Sequence, residues 1–91
     1  MAAKEWNHNH MISEYPDTEV YRRQCRALER HIPGLAKGKL LQDVDGSDYQ
    51  YYTLNGAEIV VENDCYLEGV YIRSDVDLLP YFLRTQAIQA A

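Results

Sequence analysis

The sequence contains no apolar run approaching the ~18 residues that a membrane-spanning helix needs, which excludes an integral membrane protein of that kind. Its first seven residues also lack the hydrophobic region of a secretory signal, so we expect a cytoplasmic protein. Two cysteines, Cys25 and Cys65, are too few for a disulfide scaffold. Because the 91 residues contain no internal repeat, low-complexity tract or Gly/Ser-rich linker, we expect one small domain.

The composition is that of a folded chain, and its charge is unevenly distributed. Hydrophobic residues make up 46% and charged residues 25%, proportions typical of globular rather than disordered proteins. A net charge of -5 argues against a generally basic nucleic-acid binder. Residues 1–39 contain seven basic and five acidic residues, whereas residues 40–78 contain nine acidic residues and one basic residue. The second half is therefore expected to be an anion.

The clearest predicted helix begins after Asp17, whose side chain can accept hydrogen bonds from the free N–H groups of a first turn. Apolar residues then recur at helical spacing and form one stripe: Tyr21, Cys25, Leu28 and Ile32. Pro33 and Gly34 are typical of the end of a helix. The pattern predicts an amphipathic helix over residues 18–32.

From Lys39 the pattern changes to a period of two and to β-forming residues. The candidate strands are residues 40–44, 49–54, 57–62 and 66–73. Asn55 and Gly56 are a strong hairpin signal, because both tolerate a positive φ. In the third strand, alternation places Glu58 and Glu62 on the face opposite the apolar residues. We predict an antiparallel meander of three or four strands.

The C-terminal residues return to a helical pattern. Asp77 can cap this helix and Pro80 fits its first turn. The predicted buried side is Leu79, Phe82, Leu83 and Ala87. We therefore expect an α+β domain over residues 13–91, with an N-terminal helix, the meander, and a C-terminal helix packed on one face of the sheet. Residues 1–12 are expected to be a flexible tail or a short edge strand.

Tyrosines lie among the carboxylates of the predicted sheet. A tyrosine is a rigid apolar ring with a polar tip, the kind of anchor enriched at protein interfaces, and surrounding carboxylates would steer a basic partner. The candidate partner-binding residues are Asp43, Asp45, Asp48, Tyr49, Tyr51, Glu58, Glu62, Asp64 and Glu68. The competing interpretation is that the carboxylates only solubilise the domain and the tyrosines fill its core.

The predicted N-terminal helix carries four arginines opposite its apolar stripe: Arg22, Arg23, Arg26 and Arg30. Three of them follow one another at intervals of four residues, so their guanidinium groups form a ridge that could bind phosphates. We favour a solvated face, partly paired with Glu19, Glu29 or the acidic sheet, because four arginines in an acidic domain are a weak electrostatic footprint for nucleic acid.

Two segments have side chains of the type that bind metals. Residues 43–48 combine three carboxylates with a Gly turn, but Leu54 stands where a calcium loop needs glutamate, so we predict a plain hairpin turn. His8 and His10, with His31 or a cysteine, could offer zinc ligands, yet their spacing matches no structural zinc pattern. We expect no metal and no cofactor.

Candidate groups for enzymatic chemistry are a thiol and paired carboxylates. The thiol would be Cys25 or Cys65 beside His31, and it would need a lowered pKa at an exposed position. The carboxylate pairs would be Glu58 with Glu62 or Glu68 with Asp75. Nothing in the sequence supplies the apolar pocket that separates the pKa values of an acid–base pair. We therefore expect a protein that is not an enzyme.

Three functional hypotheses follow. The first is an inhibitor that blocks a basic, nucleic-acid-processing protein, as immunity proteins against nuclease toxins and phage anti-defence proteins do; this is an analogy of class and charge. The second is an oligomeric structural or adaptor domain that pairs through an edge strand at residues 39–44 or through the C-terminal helix. The third is nucleic-acid binding through the arginine helix. No membrane partner is expected.

Overall fold

A computed structural model describes residues 4–84, with residues 82–84 described by their backbone. Its strands are β1 (His8–Ser13), β2 (Ala36–Gln42), β3 (Asp48–Leu54), β4 (Ala57–Asp64) and β5 (Gly69–Ser74), and its helices are α1 (Thr18–His31) and α2 (Leu79–Arg84). The five strands form one antiparallel sheet in the order β1-β5-β4-β3-β2. The architecture is α+β, as predicted. No helix within residues 4–84 has the length and hydrophobicity to cross a membrane.

Helix α1 begins and ends at the predicted signals. Asp17 is extended, and its side chain accepts a hydrogen bond from the Val20 N–H at 3.1 Å. At the other end the Ile32 N–H donates to the Leu28 carbonyl, and Gly34 follows at φ 81°. Tyr21, Leu28 and Ile32 of the predicted stripe are buried, and Cys25 is half-buried. The helix thus packs with the stripe that the spacing predicts.

The β3–β4 hairpin follows from its two-residue turn. Asn55 and Gly56 have φ values of 52° and 85°, the two positive values that a type I′ turn needs. The resulting register pairs Tyr52 with Ile59, whose side chains are fully buried. Packing of α1 against this side of the sheet forms the core: Tyr21, Leu28, Ile32, Tyr52, Leu54, Ile59, Val61, Val70, Ile72 and Leu78. The other side of the sheet, which we call the open face, is left without a helix among the described residues.

The sheet has five strands rather than the three or four predicted, and β1 precedes the helix. Residues 8–13 form β1 by pairing with β5 at the sheet edge. Of the two alternatives for residues 1–12, a flexible tail or a short edge strand, residues 8–12 thus form part of an edge strand. Residues 36–38, which the sequence pattern does not mark as a strand, begin β2 by pairing with β3, and β2 ends at Gln42 rather than at the predicted residue 44.

The predicted end of the third strand at residue 62 and the predicted start of the fourth at residue 66 are wrong. Strand β4 continues to Asp64, residues 65–68 form the turn, and β5 begins at Gly69. Asp64 causes the turn, because its Oδ1 atom accepts hydrogen bonds from the N–H groups of Tyr66 and Leu67, each at 2.9 Å. Glu68, at φ 56°, then leads the chain into β5.

The expected C-terminal helix packed on the sheet is not found within residues 4–84, where α2 has six residues. Its cap is as predicted, since the Asp77 carboxylate accepts a hydrogen bond from the Leu79 N–H at 2.9 Å. Leu79 itself is about half exposed, at 53%, and Leu78 occupies the core in its place. Ala87 and the side chains of Phe82 and Leu83 lie outside the described residues.

Candidate protein interface

Three connections meet at one end of the sheet: residues 14–17 between β1 and α1, residues 43–47 between β2 and β3, and residues 65–68 between β4 and β5. Hydrogen bonds hold them together. The Asp17 N–H donates to Asn63 Oδ1 at 2.9 Å, and the Cys65 N–H donates to Ser47 Oγ at 2.8 Å. Segments that are far apart in the sequence therefore form one continuous surface.

This surface carries charge of one sign. Residues 14–17, 43–48 and 64–68, which we call the acidic end, contain no lysine, arginine or histidine. Their seven carboxylates are Glu14, Asp17, Asp43, Asp45, Asp48, Asp64 and Glu68. Half of the 14 acidic residues of the chain thus lie at one end of the sheet without a basic residue among them.

Large apolar side chains lie exposed among these carboxylates. Among residues 4–81, whose side chains the structure describes, eight large hydrophobic side chains are exposed, and four of them belong to the acidic end. Val44, Tyr66 and Tyr15 are the most exposed, at 103%, 85% and 72%, and Leu67 is about half exposed. A patch of apolar side chains surrounded by charge of one sign is typical of a surface that binds a protein.

The turns hold several carboxylates in place through backbone hydrogen bonds. Asp43 accepts from the Val44 N–H at 2.7 Å, and Asp45 accepts from the Ser47 N–H at 2.9 Å. Each of these two bonds uses a single oxygen, Oδ1, of its carboxylate. Charged groups that are already ordered lose less conformational entropy when they bind a partner.

The nine predicted partner-binding residues fall into two groups. Five lie at the acidic end: Asp43, Asp45, Asp48, Asp64 and Glu68. The other four lie on the open face: Tyr49, Tyr51, Glu58 and Glu62. Composition therefore identifies part of each surface, but it does not separate them.

The open face contains a cleft of about 600 Å³ in which opposite charges are matched. Its lining includes three basic residues, Lys4, Lys39 and Arg73, and three acidic ones, Glu58, Glu62 and Asp64. Lys4 Nζ lies 2.8 Å from Glu58 Oε1 and 2.7 Å from Asp75 Oδ2, and Arg73 Nε lies 3.1 Å from Glu62 Oε1. The predicted acidic character of Glu58 and Glu62 is thus largely neutralised by neighbouring cations.

Two carboxylates of this cleft are buried, Asp64 at 6% exposure and Glu62 at 9%. Burial raises the pKa of Glu62, and the Arg73 guanidinium opposes this shift. Burial also raises the pKa values of Tyr49 and Tyr51 above the ordinary tyrosine value. The cleft is therefore an environment in which charge is costly unless it is paired.

The four arginines of α1 are exposed. Arg22 and Arg26 line a groove of about 300 Å³ that also touches Tyr21 and Leu40. The expected pairing with Glu19 and Glu29 does not occur, because no ion pair in the described part of the chain involves these arginines. The Glu29 carboxylate instead accepts a hydrogen bond from the Tyr52 hydroxyl at 2.6 Å and lies 3.4 Å from Lys37.

The candidate groups for metal binding are not assembled in the described residues, and burial works against the candidate thiol Cys25. Among residues 4–84 no three His, Cys, Asp or Glu side chains are arranged to hold a metal ion. Burial raises the pKa of the Cys25 thiol, which is the opposite of what a thiolate nucleophile needs.

The two proposed carboxylate pairs are also separated. Because Glu62 follows Glu58 by four residues along β4, their Cα atoms lie about 13 Å apart. Glu68 and Asp75 lie beyond opposite ends of β5. The backbone spacing of each pair exceeds the separation of two carboxyl groups that share a proton or flank a reacting bond, and Glu58 and Glu62 pair with different cations, Lys4 and Arg73.

Sequence reasoning missed several members of the acidic end, namely Glu14, Tyr15, Asp17, Val44, Tyr66 and Leu67. Val44 and Tyr66 stand between identified acidic residues, and this position in the sequence is the signal that could have found them, although the pattern places both in predicted strands. Glu14 and Tyr15 have no such signal, because only the pairing of β1 with β5 brings them to this surface.

Comparison with known protein families, with curated proteins and with solved structures finds no match to this chain.

Proposed function

We propose that this chain is a non-enzymatic binding domain of the cytoplasm that captures and blocks a basic protein through its acidic end. The observation that carries the proposal is that the three segments of the acidic end combine seven carboxylates and four exposed apolar side chains with no basic residue of their own. The other exposed large apolar side chains among residues 4–81 are Met11, Leu40, Leu41 and Leu79.

The two kinds of side chain contribute differently to binding. Carboxylates attract a basic surface over the Debye length of about 8 Å at physiological salt, and this raises the association rate. Exposed rings such as Tyr15 and Tyr66 then supply contact area that becomes buried, and this slows dissociation. A surface of this kind selects a partner with basic residues around an apolar patch.

A protein that binds or cleaves nucleic acid fits this description, because its own binding surface is rich in lysine and arginine. An acidic domain seated on that surface would exclude the phosphate backbone by occupying the same cations. We therefore propose an inhibitor of the immunity or anti-defence type. The inhibitory role follows from competition for one surface and needs no catalytic group.

The proposal is tested with two variants of equal net charge. Asp45→Asn with Glu68→Gln removes two charges from the acidic end, whereas Glu5→Gln with Asp77→Asn removes two exposed charges outside it. Asn keeps the Oδ1 acceptor that residue 45 supplies to Ser47. Capture of basic proteins from nuclease-treated lysate of the source cells, or of their phage host, at low salt should fall for the first variant only. Equal capture by both variants would overturn the proposal.

Nucleic-acid binding through α1 is a second candidate, favoured by the exposure of Arg22, Arg23, Arg26 and Arg30 without ion pairs in the described residues. Four phosphate contacts would give a steep loss of affinity as salt rises, with a slope of about -3 to -4 on logarithmic axes. A gel shift at low salt, abolished by Arg22→Gln with Arg26→Gln, would support it. Absence of a shift at low salt would reject it.

Self-assembly is the third candidate, and it rests on edge strand β2. All seven of its residues are exposed, including Leu40 and Leu41 at 54% and 48%. Lys37 and Lys39 oppose pairing with another edge, because charged edge residues discourage strand addition. Light scattering that gives a monomer mass at high concentration would reject this candidate.

A further inference from the structure

The open-face cleft is built around Glu62, which has a tyrosine on each side. The register places Tyr49 of β3 and Tyr71 of β5 directly across from it. On the Tyr71 side the cleft already holds a guanidinium group. Arg73 lies 4.8 Å from the centre of the Tyr71 ring, donates from Nε to Glu62 at 3.1 Å, and donates from Nη1 to Asn9 at 2.7 Å.

The Tyr49 side also has a tyrosine ring beside a carboxylate, but no cation among the described side chains lies over that ring. Asp64 follows two residues after Glu62 and so lies on the same face of β4. Both residues are buried, at 6% and 9% exposure. Among the side chains of residues 4–81, Asp64 has no ion pair and no cation lies over the Tyr49 ring. Its Oδ1 atom is held by the N–H groups of Tyr66 and Leu67.

The floor of this half is therefore negative. Glu62 and Asp64 are neighbouring carboxylates, and only Glu62 is paired with an arginine, Arg73. The charge of Asp64 adds to burial in raising the pKa of Glu62. An anionic ligand would be repelled by this floor. A cation would gain from both carboxylates and from the electron-rich face of Tyr49.

We infer that the Tyr49 half of the cleft binds the guanidinium group of an arginine side chain supplied by the basic partner. This inference rests on the proposed function and deepens it. Arginine fits better than lysine because its planar group stacks on a ring and donates to carboxylates through a rigid fork. Asp64 and Leu67 line the cleft and also belong to the acidic end, so one partner can reach both.

The ammonium group of Lys39 lies in the same cleft and would compete with an external cation for this site. Its ammonium group lies 5.0 Å from the centre of the Tyr51 ring in the same cleft, and it has no ion pair among the described residues. Lys4, in contrast, is held by Glu58 and Asp75. Removal of the Lys39 charge should therefore strengthen the binding of an external cation.

The test is an amide-resolved NMR titration of the full chain with N-acetyl-arginine amide at low salt. N-acetyl-citrulline amide, which has the same shape without the charge, is the matched ligand. We expect saturable shifts at Tyr49, Tyr51 and Glu62 with a dissociation constant on the order of millimolar. Binding of the citrulline probe should be roughly tenfold weaker.

Three variants complete the design. Asp64→Asn keeps the Oδ1 acceptor of the turn and should weaken arginine binding roughly fivefold, whereas Lys39→Gln should strengthen it roughly threefold. Asp45→Asn removes an acidic-end charge that does not line the cleft and should change it little. Overlay of backbone spectra checks that each variant is folded.

Equal shifts with both probes, or an Asp64→Asn variant that binds like the parent chain, would overturn the arginine site. These outcomes are separable from failure of the proposed function. If the acidic-end variant loses capture of basic proteins while the arginine probe does not bind, only the arginine site is wrong. If the probe binds at Tyr49 while capture is insensitive to the acidic end, the arginine site stands and the proposed function is wrong.

Discussion

The acidic end and the open face are made of the same residue types, carboxylates and tyrosines, yet they differ in how the charges are paired. On the open face Glu58 and Glu62 each have a cation within 3.1 Å. At the acidic end no basic residue is present in any of the three segments. On the open face, ion pairs within the chain use the carboxylates to stabilise the fold. At the acidic end no such pairs form among the three segments, and under the proposed function its carboxylates are available to a partner.

The comparison also concerns where stability and function reside. Paired, buried charges contribute to the fold mainly by avoiding an uncompensated charge. Exposed, unpaired charges contribute little to the free energy of unfolding and act through encounter with a partner. Substitutions on the two surfaces should therefore have opposite signatures, as the following predictions specify.

The largest effect is expected from breaking the Arg73–Glu62 pair. Arg73→Ala leaves Glu62 buried without its cation, and we expect the free energy of unfolding to fall by about 2 to 3 kcal/mol. The value is below that of a fully buried pair because the two side chains remain 20% and 11% exposed. Urea denaturation measures it. The double variant Glu62→Leu with Arg73→Met should recover most of the loss, and a fall below about 0.5 kcal/mol in the single variant would contradict the assignment.

A smaller effect, of the opposite kind, is expected at Tyr66. Its side chain is 85% exposed, so Tyr66→Ser should change the free energy of unfolding by less than about 0.5 kcal/mol. Because exposed tyrosines at interface centres act as anchors, affinity for the basic partner should fall roughly tenfold, mostly through faster dissociation. Surface plasmon resonance separates the two rates. Unchanged dissociation would place Tyr66 outside the interface.

The smallest effect concerns pH. Carbon-detected NMR should give Glu62 a pKa above its ordinary value of 4.5, because burial favours its neutral form. A carboxyl whose folded-state pKa is raised contributes stability that is complete below 4.5 and is lost as the pH rises through the raised value. Glu62→Gln should flatten the dependence of unfolding free energy on pH in that window. An unshifted Glu62 would show that the cleft is more hydrated than its geometry indicates.

Local signals account for the parts of the fold that could be predicted. Asp17 marks the beginning of α1, and Asn55 with Gly56 forms the hairpin turn, because in both cases neighbouring residues determine the conformation. For β1 the sequence left two alternatives open, a flexible tail or a short edge strand, and for the first half of β2 it gave no strand signal. Their histidines, lysines and glycine have no β pattern, and pairing with β5 and β3 gives them their structure.

The residues of the candidate site show the same difference between local signals and long-range pairing. Asp43, Asp45 and Asp48 were identifiable because they are close in the sequence, the first two in one turn and Asp48 at the start of β3. Tyr15 joins them only through long-range strand pairing. The contrast between paired and unpaired carboxylates was not predictable either, since it depends on cross-strand neighbours such as Arg73 beside Glu62.

The most direct test of the central claim is the association rate of the captured basic partner, measured by stopped flow at low and at physiological ionic strength. Asp45→Asn with Glu68→Gln should lower this rate on the order of tenfold at low salt, with a smaller difference at physiological salt, because screening shortens the reach of the carboxylates. Glu5→Gln with Asp77→Asn, which has the same net charge, should associate like the parent chain. Equal association rates for the two variants would contradict the account, since net charge rather than the acidic end would then govern binding.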